Sequence, residues 1–281
     1  MQWSRGEYAP ANEDKAELFH EHPELISEYA RLEKKFRLDK FRDNSSLMEF
    51  RESMYVLSLL EQAFPASLPG KSLRALDIGS KNFAYVRGLY HFFQYAPSAR
   101  QDRTEKENIR KNACKIETEG EDGTEPAASD LAAPRSIFLT GIEIDPFPVY
   151  ADTYSRSDYA RYHVKRLSNC RYIAGDLMEH HERYDVITWF LPFLTEDAIR
   201  EWGLPSRFLR PEELMKHAFE LMEPGGIMLV VNQEEDERDI QHALLKKMQI
   251  SIMSSTMFKS DWYPFLPRFV TIIIKSFLQR S

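Results

Sequence analysis

The sequence predicts a doubly wound α/β domain with a mostly parallel sheet, preceded by an N-terminal helical cap. Short apolar segments rich in β-branched residues alternate with helical stretches from Leu73 onward, as expected for β–α–β units. Residues 11–64 instead repeat apolar side chains at helical spacing. The chain of 281 residues is long enough to bury a large core. We therefore divide it into a cap, residues 1–70, and a main domain, residues 71–281.

Two apolar stripes define the predicted cap. Their members are three or four positions apart with Glu, Lys and Arg between them, which is the pattern of helices that bury one face. The first stripe comprises Leu25, Ile26, Tyr29, Leu32 and Phe36, and the second comprises Leu47, Phe50, Met54, Leu57 and Leu60. Pro65 and Pro69-Gly70 end this helical region.

Seven strands alternate with helices in the main domain. The predicted strands are Leu73–Ile78, Ile137–Ile142, Arg171–Ala174, Tyr184–Trp189, Ile227–Val231, Ile250–Met257 and Phe269–Lys275. The predicted helices are Phe83–Tyr95, Val149–Leu167, Pro211–Met222 and Glu237–Met248. The third helix has the clearest signals, because Pro211 occupies its first turn and Pro224-Gly225-Gly226 follows its end.

Residues 96–136 interrupt this alternation. They are rich in Glu, Asp, Lys, Ala, Pro and Gly and nearly free of large apolar side chains. Such a segment buries too little apolar surface to offset its ordering entropy on its own. We interpret it as a polar insertion in the first crossover, either a mobile loop or a lid. Residues 100–133 are expected to be dispensable for folding.

Composition narrows the class of function. A net charge of −7 argues against a nucleic-acid partner, because binding phosphates requires a basic face. No apolar run approaches the roughly 18 residues that cross a membrane. Cys114 and Cys170 are far apart, and His180-His181 are adjacent in a polar loop, so neither pair suggests a disulfide framework or a metal site. We expect a cytoplasmic protein with no metal and no membrane partner.

The first functional motif is the turn Asp77-Ile78-Gly79-Ser80 after the first strand. Gly79 lets the backbone approach a ligand without an intervening Cβ, and the following helix offers free N–H groups to an anion. Turns of this kind are common in doubly wound folds. This motif alone therefore does not identify the ligand.

Acidic residues end the second and third strands. Glu143 lies at the tip of the second strand, where a carboxylate can accept two hydrogen bonds from a ribose diol. A solvent-facing or helix-capping role is the alternative for this residue. Asp176 ends the third strand within Gly175-Asp176-Leu177, where it could accept from the exocyclic amine of adenine.

From Leu73 to about Lys275, the order and spacing of these motifs resemble the class I S-adenosylmethionine-dependent methyltransferases. The resemblance implies S-adenosyl-L-methionine as the cofactor. The residues it assigns to that cofactor are Asp77, Gly79, Ser80, Lys81, Glu143, Asp176 and Leu177. Asp77 and Gly79 would lie against its methionine end, Glu143 would hold the ribose, and Asp176 with the Leu177 backbone would hold the adenine.

The resemblance also covers the end of the main domain. The helix from Glu237 and the last two strands resemble the family's closing helix and antiparallel terminal pair, which a nicotinamide-binding fold is not expected to have. The predicted fold class is thus α/β: a doubly wound, mostly parallel seven-stranded sheet with an antiparallel C-terminal strand, plus the N-terminal helical cap.

The first motif departs from the family pattern at two positions. The family usually has glycine two and four residues beyond Gly79, where this chain has Lys81 and Phe83. Lys81 could instead pair with the carboxylate of the cofactor. The departure keeps a non-catalytic member of the family open as an alternative.

An acceptor pocket is predicted from the aromatic residues that follow the fourth strand. Phe190, Phe193 and Trp202 lie where ligands of open α/β sheets bind, beyond the carboxyl ends of the strands. Packing beneath the cap is the alternative interpretation. Substitution of these aromatics is expected to impair the acceptor and spare the cofactor. The sequence assigns no catalytic residue; Asp197, Glu234 and His217 are candidate bases by location alone.

The predicted function is transfer of a methyl group to a small-molecule acceptor by in-line displacement. A methyltransferase acting on a protein or a nucleic acid is one alternative. A binding or scaffolding protein that keeps the fold without catalysis is the other. The sequence does not identify the acceptor or the oligomeric state.

Overall fold

The computed structural model describes residues 7–97 except 12, 65–67 and 69, together with residues 134–264 and 267–276. The predicted insertion at 96–136 therefore lies mostly outside the described residues. None of the described helices combines the length and the apolar character that crossing a membrane requires.

The seven predicted strands are all present and form one sheet. They are β1 (Ser72–Ile78), β2 (Ser136–Glu143), β3 (Cys170–Ala174), β4 (Tyr184–Phe190), β5 (Met222–Asn232), β6 (Ile252–Phe258) and β7 (Arg268–Ile274). Their order in the sheet is β3-β2-β1-β4-β5-β7-β6. The first five strands pair in parallel, and β7 runs antiparallel to both β5 and β6. The predicted fold class is confirmed, including the antiparallel C-terminal strand.

The described α-helices are α1 (Ala16–Glu21), α2 (Glu24–Phe36), α3 (Leu47–Ala63), α4 (Val86–Tyr95), α5 (Arg156–Lys165), α6 (Glu196–Glu201), α7 (Pro211–Glu220) and α8 (Glu235–Lys247). Two helices begin later than predicted. The helix expected from Phe83 begins at Val86, because Phe83 has a φ of 55° and cannot lie in a right-handed helix. The helix expected from Val149 begins at Arg156, where Ser155 and Asp158 form a capping box.

Helices cover both faces of the sheet. Neighbouring residues of β1 point to opposite faces, so Ala75 packs in one apolar cluster and Leu76 in the other. The first cluster includes α2, α3 and α4, and the second includes α7 and α8. The N-terminal helices thus share a core with the sheet.

Close contact between α3 and α4 fixes the position of α3. A Cβ on Gly88 would lie 2.5 Å from the carbonyl oxygen of Ser53, so only glycine permits this approach. The Ser46 side chain accepts a hydrogen bond from the Glu49 N–H and starts α3. As a result, one face of α3 reaches the carboxyl-end edge of the sheet, beside the turn that follows β1.

Candidate functional site

Two adjacent cavities lie at the carboxyl ends of the parallel strands. The order of the strands changes direction between β1 and β4, and open α/β sheets bind ligands at such switch points. Both cavities are clefts that open to solvent at this edge of the sheet.

We name each cavity after its carboxylate. The walls of the Glu143 cleft include Ile78, Glu143, Asp176, Leu177, Trp189, Phe193, Trp202 and Arg210. The walls of the Glu52 cavity include Glu52, Tyr55, Val56, Tyr85, Val231, Tyr263 and Arg268. Gly79, Lys81, Phe190 and Leu191 line both.

The turn after β1 separates the two cavities. Gly79 has a φ of 72°, and its N–H donates to the Ile142 carbonyl oxygen at 2.9 Å. Lys81 and Phe83, with φ of 50° and 55°, also adopt the left-handed conformation. These are the two positions where the resembling family usually has glycine. This turn therefore adopts the left-handed conformation at both positions without glycine, at a cost of roughly 1–2 kcal/mol for each side chain.

Local contacts offset that cost. The Lys81 N–H donates to Glu143 Oε2 at 2.7 Å, and the Phe83 N–H donates to the Ser80 carbonyl oxygen at 2.8 Å. Phe83 is fully buried above Gly141, where a Cβ would lie 2.6 Å from the ring. The glycine at 141 thus makes room for the aromatic ring at 83.

Asp77 and Ser80 lie behind this turn. Both side chains are fully buried and line neither cavity. Asp77 accepts hydrogen bonds from the hydroxyls of Thr188, at 2.7 Å, and Tyr85, at 2.8 Å. Burial raises the pKa of Asp77 to about 7, against the effect of these donors. In this structure both residues support the turn.

Glu143 lines the cleft that carries its name. Its Oε2 accepts from the Lys81 N–H, and its Oε1 accepts from the Asp145 N–H at 2.8 Å. Burial raises the pKa of the carboxyl group, while these N–H groups and the nearby Arg156 act against the increase. Each carboxylate oxygen has a second lone pair, so the group retains capacity to accept from a ligand.

Asp176 and Leu177 form the opposite wall. Asp176 Oδ1 accepts from the Met178 N–H at 3.0 Å, and its Oδ2 pairs with Arg210 Nη2 at 2.5 Å. Leu177 is buried and presents an apolar surface to the cleft. The ion pair with Arg210 was not predicted from the sequence, because Arg210 lies beyond β4 in the chain.

The aromatic residues predicted for the acceptor lie beside these carboxylates. Phe190, Phe193 and Trp202 all line the Glu143 cleft, and of the three Phe190 also lines the Glu52 cavity. The ring of Trp202 lies between two cations, 4.9 Å from Lys81 Nζ and 4.5 Å from the Arg156 guanidinium carbon. Phe193 contacts the Trp202 edge at 5.6 Å between ring centres. We refer to Phe193 and Trp202 as the aromatic roof of the Glu143 cleft.

The Glu52 cavity was not predicted. Glu52, Tyr55, Val56 and Leu59 recur at helical spacing on α3, so a carboxylate in an otherwise apolar stripe was the available signal. Tyr263 and Arg268 come from the end of the chain and gave no signal. Burial raises the pKa of Glu52 to about 7, and the charge of Lys81 acts against this.

The three candidate bases do not line either cavity. His217 Nε2 lies 2.7 Å from the His180 carbonyl oxygen, and Asp197 pairs with Arg200 on the surface. Glu234 caps the start of α8. Within residues 7–97, 134–264 and 267–276 as described, no three His, Cys, Asp or Glu side chains converge as a metal site would require.

The strand order and the antiparallel terminal pair agree with the resemblance found in the sequence. The chain has a Rossmann-like α/β fold with a seven-stranded sheet in this order. No protein-family model and no curated protein sequence matches it.

Solved structures with a similar arrangement include a methyltransferase from Pyrococcus furiosus, at 16% identity and a TM-score of 0.47, covering 92% of this chain and 99% of that chain. TrmN from Thermus thermophilus has 16% identity and a TM-score of 0.44 over 81% of this chain and 52% of its own. The N-methyltransferase NodS from Bradyrhizobium japonicum, solved with S-adenosyl-L-homocysteine, has 13% identity and a TM-score of 0.43, covering 88% of this chain and 98% of its own.

The Glu143 cleft places acidic, apolar and aromatic side chains side by side. It combines an anchored carboxylate, apolar walls and an aromatic roof. Lys81 supplies a cation between the two cavities, and no acidic side chain of the described residues pairs with it. Lys81 therefore lies at the turn that both cavities share.

Proposed function

We propose that the protein is an S-adenosylmethionine-dependent methyltransferase that acts on a small molecule. The observation that supports this most is the Glu143 carboxylate at the tip of β2, held by two backbone N–H groups inside an apolar cleft at the switch point. A ribose diol needs such an acceptor pair. The antiparallel β7 argues against a nicotinamide-binding fold with the same carboxylate.

The residues present fit the cofactor. Glu143 would accept from the ribose hydroxyls, and Leu177 would pack on the adenine beside Asp176. Lys81 would pair with the carboxylate of the methionine part, because it is a half-buried cation without an acidic partner among the described residues. Burial lowers the pKa of Lys81, and Glu52 acts against this, so a bound carboxylate would favour the charged form.

The bound cofactor supplies a methyl group that its sulfonium already activates. The protein has to position the acceptor and exclude water. The space beside Gly79, which lines both cavities, is open: the nearest atom to a Cβ at this position would be the Phe190 carbonyl oxygen, at 3.9 Å. Phe193 and Trp202 shield the cleft from solvent.

A small acceptor is favoured by the shape and charge of the site. Both cavities are recessed, and they meet at the Gly79–Lys81 turn. The net charge of −7 gives no general attraction for a nucleic acid. The left-handed backbone at Lys81 and Phe83 also weakens the reason for a non-catalytic alternative, because the turn keeps its path without glycine.

Binding of S-adenosyl-L-homocysteine tests this proposal. At a free concentration of about 100 times the Kd, linkage adds about 2.7 kcal/mol to the free energy of unfolding. Thermal unfolding and titration calorimetry should show this, with NADH as the control ligand that produces no shift. Asp197→Ala, a surface variant, should bind as the wild type does. No shift and no heat at millimolar ligand would refute the proposal.

A further inference from the structure

The Glu52 cavity lies on the other side of the turn from the nucleoside cleft. Besides residues near the ends of β1, β4 and β5, its walls include α3, the segment after β6 and the start of β7. It shares Gly79, Lys81 and Phe190 with the Glu143 cleft. A ligand here would therefore meet the methionine end of a cofactor bound next door.

Polar groups in this cavity lack partners. Among the described residues, no side chain or N–H group forms a hydrogen bond or an ion pair with the Glu52 carboxylate. The Tyr55 hydroxyl is buried and makes no hydrogen bond of good geometry there, although Arg268 lies near enough to oppose the rise in its pKa. Arg268 has no acidic partner in the described part of the chain. Unpaired buried charges are costly, so a ligand that completes them binds favourably.

Aromatic side chains line the same cavity as the carboxylate. Tyr55 and Tyr263 meet edge to face with ring centres 5.3 Å apart, and Tyr85 also lines the cavity. Ring faces and a carboxylate together attract a cation. Arg268, by contrast, offers the planar fork that recognises a carboxylate. The cavity thus presents one end suited to a cation and one end suited to an anion.

We propose that the Glu52 cavity binds the methyl acceptor, a small amine that also carries a carboxylate, with Glu52 receiving the proton of the amine and Arg268 pairing with the carboxylate. This inference depends on the proposed function. Tyr55 and Tyr263 would flank the ammonium group.

The proton balance favours nitrogen as the accepting atom. An alkylammonium has a pKa near about 10, so transfer of its proton to Glu52, with a pKa of about 7, is far easier than transfer from an aliphatic hydroxyl. The nitrogen keeps the electron pair of the N–H bond and uses it for the new bond to the methyl carbon. The electron pair of the breaking carbon–sulfur bond stays on sulfur.

The charge of Glu52 affects the pKa of titratable groups on several neighbouring elements. Lys81 follows β1, Tyr85 precedes α4 and Tyr263 precedes β7, and all three line the cavity; Tyr150, which follows β2, lies outside its lining. The three tyrosines stay neutral near pH 7, because burial raises their pKa. Lys81 and Glu52 are therefore the groups that set the charge on this side of the cavity, with Arg268 at the other end.

Calorimetry on the protein saturated with S-adenosyl-L-homocysteine tests the inference. The probes are glycine, β-alanine, 4-aminobutyrate and lysine, with propylamine, propionate and 3-hydroxypropionate as matched compounds that lack one group. At least one amino acid should bind, and removal of either charged group should weaken binding at least about tenfold. Affinity should fall about tenfold for each pH unit below 7, as Glu52 takes up a proton.

Variants assign the effect to residues. Glu52→Gln and Arg268→Gln should each weaken amino-acid binding at least about tenfold, and Glu52→Gln should abolish its dependence on pH. Both should still bind S-adenosyl-L-homocysteine. Glu61→Gln is the matched control, because this carboxylate lies on the same helix but pairs outward with Arg31 and Lys35.

The outcomes separate the two claims. If S-adenosyl-L-homocysteine does not bind, the proposed function fails. If it binds, but no amino acid binds at about 10 mM, the inference fails and the proposed function stands. Equal binding of 3-hydroxypropionate and β-alanine would also overturn the choice of an amine.

Discussion

The two cavities differ in how their charged groups are held. In the Glu143 cleft each carboxylate already has partners in the protein: two backbone N–H groups bind Glu143, and Arg210 with the Met178 N–H binds Asp176. In the Glu52 cavity the carboxylate has none among the described residues. The same type of side chain is thus fixed on one side of the turn and unpaired on the other.

This difference indicates two modes of recognition. A carboxylate fixed by backbone groups is preorganised, so it can bind a neutral diol without losing further side-chain freedom. An unpaired carboxylate with a pKa near 7 is suited to exchange a proton with its ligand. We infer that the first side selects a cofactor by shape and hydrogen bonding, and the second side takes part in the reaction.

Glu143→Ala should produce the largest effect. It removes the acceptor of two buried N–H groups, at Lys81 and Asp145, and each unsatisfied group costs about 1–3 kcal/mol. We expect unfolding to become easier by about 2–4 kcal/mol and S-adenosyl-L-homocysteine to bind at least about tenfold more weakly. Denaturant unfolding and calorimetry measure the two effects.

A matched control for this variant is Glu234→Ala, because Glu234 is an exposed carboxylate at the start of α8. It should leave cofactor affinity unchanged. If Glu143→Ala were less stable but bound S-adenosyl-L-homocysteine as tightly as the wild type, the ribose would be held elsewhere. Glu143 would then not be the preorganised carboxylate that distinguishes this cleft from the Glu52 cavity.

The pattern of the sequence was enough to predict the sheet and three residues of the Glu143 cleft: Glu143, Asp176 and Leu177. Each of them lies at or just beyond the carboxyl end of a strand, and parallel strands bring these ends to one edge. Glu143, Asp176 and Leu177 therefore had to lie close together once the strands were assigned. Whether they bind the cofactor remains a prediction.

The Glu52 cavity could not be predicted in the same way. Glu52 lies on a helix before the sheet, and Arg268 lies at the start of the last described strand, so no local spacing links them. They meet because β7 lies next to β5 and α3 packs beside α4 on one face. The left-handed conformations of Lys81 and Phe83 could not be predicted from the sequence either, since non-glycine residues seldom adopt positive φ.

Trp202→Ala tests which of the two ligands depends on the aromatic roof of the Glu143 cleft. Because Trp202 packs between Lys81 and Arg156 over the Glu143 cleft, its loss should weaken S-adenosyl-L-homocysteine by about tenfold. The sequence alone predicted an effect on the acceptor instead. Calorimetry with each ligand distinguishes the two, since amino-acid binding in the Glu52 cavity should change less than about threefold.

Met253→Ala, an exposed site on β6, serves as the control for loss of a large side chain. It should bind both ligands normally. If Trp202→Ala abolished amino-acid binding but still bound S-adenosyl-L-homocysteine, Trp202 would belong to the acceptor pocket, as the sequence predicted.

Asp77→Asn tests a third carboxylate, which has partners and yet a pKa of about 7. Between the unfolded pKa of about 3.8 and the folded pKa, the unfolded chain loses its proton while the folded protein keeps it. Wild-type stability therefore falls as the pH rises from about 4 to about 7, by about 1.4 kcal/mol per unit of pKa difference at most.

Asparagine removes this titration, so the variant should gain stability relative to the wild type across that range. Chemical unfolding at several pH values measures the difference, and Thr188 and Tyr85 remain as hydrogen-bonding partners. A difference that stays constant between pH 4 and pH 8 would show that Asp77 is ionised in the folded protein throughout.

Replacement of residues 100–133 by a short Gly/Ser linker should have the smallest effect. The chain enters and leaves this segment at the edge of the sheet opposite the two cavities. Arg135, just after the segment, binds the backbone just before it. Its N–H donates to the Gln94 carbonyl oxygen at 3.0 Å, and its guanidinium donates to the carbonyl oxygens of Phe93 and Gly70. These contacts lie at the start of β2, opposite the carboxyl ends where ligands would bind. A short linker can close this gap, and closure entropy changes by only about 0.6 kcal/mol per doubling of length.

We expect cooperative unfolding within about 1 kcal/mol of the wild type and unchanged affinity for S-adenosyl-L-homocysteine. Arg135→Ala should cost more than the whole replacement, since it releases the buried contacts that hold the two ends together. Loss of cofactor binding in the shortened chain would instead assign the insertion a part in the site, as the lid interpretation requires.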